Sequence, residues 1–363
     1  MRSLAVWTTT AAVALLGAAN AQPSAQQAET QPTAESTPGV AADGPVREAI
    51  NAYAAYHTDV SDLRAARVGS ANDLETALDT VARHNRDALT RGWIAYGATT
   101  AAQSPAFVQG VRDAAAYYGR DAVIWAVTVD PSYARGLRGG NEVTRMLLDS
   151  AAADSARIIS VADRYQELAY GLQRQRWANA VAPQQAARVQ RIRSLGAPGA
   201  QDRVLPDSVS PRLSVATLSL SPSSDPTQFG GRRFWDSLRT GDDVVEISAT
   251  PASYQWRVNP TRGMALDRMA AVAALQALDA VDDRQSAVSQ LMSDPRSRDC
   301  LEMAQLQLYQ CMSAARFRYE NAFCLGQHGL RDVGTCISQV GQPDTSAMTP
   351  ISGANAAGST GRP

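Results

Sequence analysis

The chain has 363 residues, 45% of them hydrophobic, and a formal net charge of −1. That near-neutral balance excludes a dedicated nucleic-acid binder, and the length predicts one large or two moderate domains of roughly 150 residues. All 34 basic residues are arginine, which excludes a P-loop lysine, a Schiff-base lysine and a Ser-x-x-Lys site.

In chain order, residues 1–21 (MRSLAVWTTTAAVALLGAANA) read as a Sec-type signal peptide. Arg2 precedes an apolar run from Ala11 to Ala19, and Ala19-Asn20-Ala21 fits a small-x-small cleavage site. The run is shorter than the roughly 20 residues that span a bilayer. The expectation is cleavage after Ala21, a periplasmic or secreted protein and no transmembrane span after cleavage. Residues 22–44 are rich in Pro, Gln, Ala, Thr and Ser without apolar periodicity and are expected to be a flexible leader; residues 342–363 share that character.

From 45 to 182 the pattern predicts an N-terminal helical region. Val46, Ile50, Tyr53 and Tyr56 or His57 recur at helical steps. Ser70 is placed to cap a helix carrying Leu74, Leu78 and Val81, and Ser104-Pro105 fits a cap followed by proline at the first helical position. DAVIWAVTV (121–129) reads as a short buried segment, helix or strand. Gly139-Gly140 precedes the longest helix expected, about 141–182, with Val143, Leu147, Ile158, Val161, Tyr165, Leu168 and Leu172 on one stripe.

Alanine thins out after Pro183, and 183–260 reads as a loop- and β-containing insertion. LSVATLSLS (213–221) is rich in strand formers, and VVEISA (244–249) and YQWRV (254–258) read as a hairpin joined by TPAS. Helices resume over 261–341, where Leu266, Met269, Leu278 and Val281 form an apolar face. The fold class expected is mainly α: a helical bundle or irregular helical array with a small β-hairpin or long-loop insertion at about 200–260 and a C-terminal stapled helical hairpin.

Every cysteine lies between 300 and 336. In an exported protein four cysteines without a C-x-x-C pair read as two disulfides rather than a zinc or redox site. Cys300 and Cys311 stand on one helical run about 16 Å apart, too far to bond. Matched arm lengths favour Cys311–Cys324 inside and Cys300–Cys336 outside. That hairpin needs a break in MSAARFRYENAF (312–323), which has neither Gly nor Pro. A helix running straight through would hold Cys311 and Cys324 about 20 Å apart.

Catalytic signals are sparse. His57 and His84 read as surface histidines among solvated charges, and His328, between Gly326 and Gly329, as a turn residue. Glu320 is the single carboxyl that suggests a cell-wall glycan-acting enzyme. Arg174, Arg176, Arg188, Arg191 and Arg193, with Trp177 among them, and Arg232 and Arg233 beside Phe234 and Trp235, are candidate contacts for anionic glycan or lipid. Against this, the aromatics are expected to dock inward. No metal or cofactor is expected. The arginine bias and the leader point to a bacterium. The functional expectation is an exported, non-catalytic structural or protein-interaction protein of the cell envelope with a protein partner there.

Overall fold

Helix α1 (Gly44–Ala65) is buried on every face from Tyr53 to Ser61, because helices enclose it on all sides. The computed structural model describes residues 44–197, 205–218, 227–238 and 256–343. The expected signal peptide, the leader before Gly44 and the strand at 244–249 lie outside these. The described residues are mainly helical, with one two-stranded antiparallel sheet, and belong to one compact unit.

Ser70 caps α2 (Ala71–Ala82) by accepting the Asp73 N–H, and Asn85 caps α3 (Arg86–Ala101) by accepting those of Asp87 and Ala88. Alanine and glycine on α3 set the spacing of the core. A Cβ on Gly92 would stand 2.6 Å from the Ala49 carbonyl oxygen, and one on Gly97 would stand 2.3 Å from Met269 Sδ. Thin side chains therefore let α3 lie close between α1 and a later helix that carries Met269.

Ser104 and Pro105 begin α4 (Pro105–Tyr118) as the cap pattern predicts. Gly119, at φ +93°, turns the chain into α5 (Arg120–Val129), so the ambiguous DAVIWAVTV segment is helix. After the short α6 (Ser132–Gly136), α7 runs from Gly140 to Leu172 with its expected stripe buried or half-buried. It stops ten residues earlier than the sequence suggests. Arg164 of α7 donates to the Leu63, Arg64 and Ala66 carbonyls and so satisfies the orphan acceptors at the end of α1.

Helix α8 (Gln185–Leu195) packs on α2. The strand formers at 213–221 lie instead, as far as residue 218, in helix α9 (Ser210–Leu218). Leu213 and Thr217, four residues apart, share a buried face while Val215 is exposed, so packing overrides β propensity. Helix α10 (Phe234–Ser237) follows. Strand β1 (Trp256–Val258) pairs not with a neighbouring hairpin arm but with β2 (Gly341–Pro343), Arg257 opposite Gln342. The first two tail residues, Gln342 and Pro343, are therefore in the sheet.

Helix α11 (Met264–Ala277) completes the α1–α3 layer, and α12 (Gln285–Met292) packs on it. Asp294 caps α13 (Pro295–Ala314). The break that the inner disulfide needs comes at Ala315–Phe317, before α14 (Arg318–Cys324). It is made by tertiary pairing: Ala182 N–H donates to the Arg316 carbonyl, Tyr319 N–H to that of Ala178, and Val181 bridges Phe317. A π-helical segment (Leu325–Arg331) leads into α15 (Asp332–Ser338). His328 is therefore helical, not in a turn. Its flanking glycines serve close packing: a Cβ on Gly326 would meet the Ala162 carbonyl at 2.9 Å, and one on Gly329 would meet Val81 at 3.0 Å. Disulfides join Cys300 to Cys336 and Cys311 to Cys324.

Candidate functional site

Buried polar side chains converge where α1, α7 and α10 meet. Tyr53, His57 and Ser61 recur every four residues on one face of α1, and Asp154 and Arg157 face them one turn apart on α7. Tyr53 donates its hydroxyl to Asp154 Oδ2 at 2.8 Å, and Trp235 donates its indole N–H to Oδ1 at 2.8 Å. The His57 imidazole stacks flat on the Trp235 indole, 4.4 Å between centroids, with Nε2 3.9 Å from Asp154 Oδ2. Beyond them Arg157 bonds Asp236 and the Ser61 hydroxyl, and Arg64 stands 3.8 Å from Asp236.

Burial sets the protonation states. It pushes the Asp154 carboxyl up to about 7, against the pull of its two donors and of Arg157. It holds His57 well below its usual range, helped by the Arg157 charge, and raises Tyr53 and Tyr96 well above theirs. Below about pH 7 the cluster is thus a proton-holding carboxyl beside a neutral imidazole, roofed by Trp235. Since His57, Asp154, Arg157 and Trp235 are all buried, its chemistry is that of a clasp that fastens α10 onto α1 and α7.

These positions correct two expectations. His57 is not a surface residue but wholly buried, because its partners come from α7 and α10 rather than from Asp59 and Asp62 beside it in sequence. His84 is buried too, with Nε2 2.8 Å from Asp59 Oδ2 and the Tyr56 ring edge-on to it. The four-residue spacing of Tyr53, His57 and Ser61 on α1 is a readable sign that they share one helix face. Trp235 and Asp154, 81 residues apart, left no such local sign.

The candidate anion contacts lie on three separate elements. Arg174 and Arg176 are exposed just beyond α7. On α8, Arg188 and Arg191 grip Glu75 at 2.6 and 2.5 Å, and Arg191 also reaches Asp79 at 3.1 Å, while Arg193 lies over the Tyr309 ring. Arg232 is exposed and Arg233 half-buried, while Phe234 and Trp235 dock inward and Trp177 is half-buried. Glu320 reaches back to accept the backbone N–H of Phe317 at 2.8 Å and that of Arg316, capping α14. Glu320→Ala is expected to cost about 1 kcal/mol, read by urea unfolding. A Glu320→Gln protein that folds normally and loses function would instead give this carboxyl a chemical role.

No protein-family model, curated protein or solved structure matches the chain. Among the described residues, no helix is long and apolar enough to cross a membrane.

Proposed function

We propose that this chain is an exported, non-catalytic structural or protein-interaction protein of the bacterial cell envelope, and that it meets its partner through the α4–α5 corner. The observation that carries the reading is the exposure of Tyr117 (81%), Tyr118 (64%), Trp125 (67%) and Val129 (63%) around one helix turn-over. Large side chains bared together in this way mark contact surfaces, and tyrosine and tryptophan anchor them at small entropic cost. The corner is also held in place. Arg112 donates to the Ala277 carbonyl, and Arg120 donates to those of Leu278 and Asp279. A fixed frame lowers the cost of ordering on association. The leader pattern at 1–21 and the two disulfides, which persist in oxidising compartments, support export to the periplasm or beyond.

The glycan-acting alternative rested on Glu320, whose carboxylate is engaged as a cap. The anionic-binder alternative draws on Arg174, Arg176, Arg188, Arg191, Arg193, Arg232 and Arg233, of which Arg188 and Arg191 are engaged by Glu75 and Asp79.

A photo-crosslinking residue in place of Trp125 tests the proposal in intact cells. Discrete adducts are expected, and they should disappear when Tyr117 and Tyr118 are both changed to Ser, with thermal stability unchanged. A Trp125 position that yields no adduct, or adducts indifferent to the tyrosine changes, would remove the corner from consideration.

A further inference from the structure

Arg86, the first residue of α3, is 2% exposed, and none of its three guanidinium nitrogens has a hydrogen-bond partner among the described residues. Arginine stays protonated in proteins, so this is a full positive charge inside the fold. Such a charge is costly unless it is paired. No carboxylate of the described residues lies within ion-pair distance of it. The groups whose fields it feels are the hydroxyls of Tyr56 and Tyr309. Asp59, whose charge also reaches Tyr56, is bonded by His84.

The surroundings are rich in donors. The Tyr56 hydroxyl is buried and unpartnered, and so is the amide nitrogen Nε2 of Gln305. Gln305 and Tyr309 stand one turn apart on α13. Gly196 packs closely against this edge: a Cβ on it would stand 2.5 Å from both Gln305 Nε2 and the Ala82 carbonyl oxygen and 3.7 Å from the Tyr309 hydroxyl, so the amide and the hydroxyl face the same place. On the outer side Arg193, exposed at the end of α8, lies over the Tyr309 ring with its charge 5.3 Å from the centroid. Positive charge thus lies at the surface at Arg193 and in the interior at Arg86, and Tyr309 interacts with both.

We propose that Arg86, Tyr56, Tyr309 and Gln305 form a buried site for one small monovalent anion, with Arg193 at its entrance. One buried cation is balanced by one negative charge. A dianion such as hydrogen phosphate would leave the interior with a net charge again. A halide and a small carboxylate such as formate share the required chemistry: compact, singly charged and able to accept several N–H and O–H donors.

Thermal unfolding of the full mature protein at constant ionic strength tests this, with the bulky sulfonate of MES as reference anion. Replacing it by 100 mM chloride or bromide, or by formate, is expected to raise Tm by about 2 °C or more for whichever source fits the site. The rise should vanish in Arg86→Met. It should need about tenfold more anion in Tyr56→Phe and Gln305→Leu, each of which removes one donor to a charged ligand. If Arg86→Met does not fold, the latter two carry the comparison. In bromide-grown crystals, an anomalous peak within hydrogen-bond distance of the Arg86 guanidinium supports the halide source. A response to formate alone supports the carboxylate source. Equal Tm values in all anions, or a rise that persists unchanged in the three variants, would overturn the site.

Discussion

Removing both disulfides, by changing all four cysteines to alanine, is expected to cost about 6 kcal/mol, comparable in size to the 5–15 kcal/mol that holds a typical domain folded. The two disulfide loops are nested. Cys311–Cys324 closes a separation of 13 residues and Cys300–Cys336 one of 36. In the chain-entropy picture each bridge is worth about 3 to 4 kcal/mol, the longer loop more. With the inner bridge intact the outer loop is effectively shorter, so the outer bridge keeps only a small advantage. Urea unfolding of Cys300→Ala/Cys336→Ala, of Cys311→Ala/Cys324→Ala and of the quadruple variant gives the ordering. The outer pair should cost slightly more than the inner, and the two together far more than either. A quadruple variant as stable as the parent would show that helix packing alone holds α13 to α15. Peptide mapping without reductant checks the pairing itself, and four free thiols would defeat it.

The parts of this fold that were legible in sequence are those whose cause is local. Ser70 and Ser104 cap helices because a short polar side chain beside an apolar period has few other uses. The cysteine pairing followed from near-equal spacing along two helical arms. The break between those arms was not legible, because nothing in MSAARFRYENAF prefers it. It exists because residues 178–182 pair with 316–319 and because Glu320 turns back to cap α14. The histidines too take their surroundings from distant residues. His57 and His84 have charged neighbours in sequence, but their environment comes from Asp154, Trp235, Asp59 and Tyr56, brought in by helix packing. Glycines misled at His328, where they mark close helix contact rather than a turn. The candidate sites were least legible, since both the Asp154 clasp and the surroundings of Arg86 depend on partners far apart in the chain.

Asp154→Asn and His57→Gln are expected to tilt the pH dependence of stability in opposite directions. Burial raises the Asp154 carboxyl from 3.8 to about 7. Between about pH 4 and pH 7 the native state keeps this proton while the unfolded chain has lost it. Stability from this group is therefore complete below pH 4 and falls as pH rises to 7, by on the order of 4 kcal/mol. His57 acts the other way. Its native value lies well below 6.5, so the unfolded chain takes up a proton first as the solution is acidified. Its contribution is complete above about pH 6.5 and is lost as pH falls below it. In the parent protein the two slopes oppose each other from pH 4 to 6.5. Asp154→Asn removes the falling slope, so stability relative to the parent should rise with pH across this window. His57→Gln removes the rising slope, so relative stability should fall with pH across the same window. Comparing each variant with the parent cancels the other carboxyls with raised values, Asp79 and Asp149, which are common to all three. The absolute losses differ for other reasons. Asparagine turns a donor towards Tyr53 or Trp235, and glutamine forfeits the stack on Trp235, so the slopes and not the offsets carry the test. Urea unfolding at intervals from pH 4.5 to 8 measures them. Three parallel curves would mean that neither group titrates differently in the folded and unfolded chains, and the clasp would then be an ordinary set of neutral hydrogen bonds.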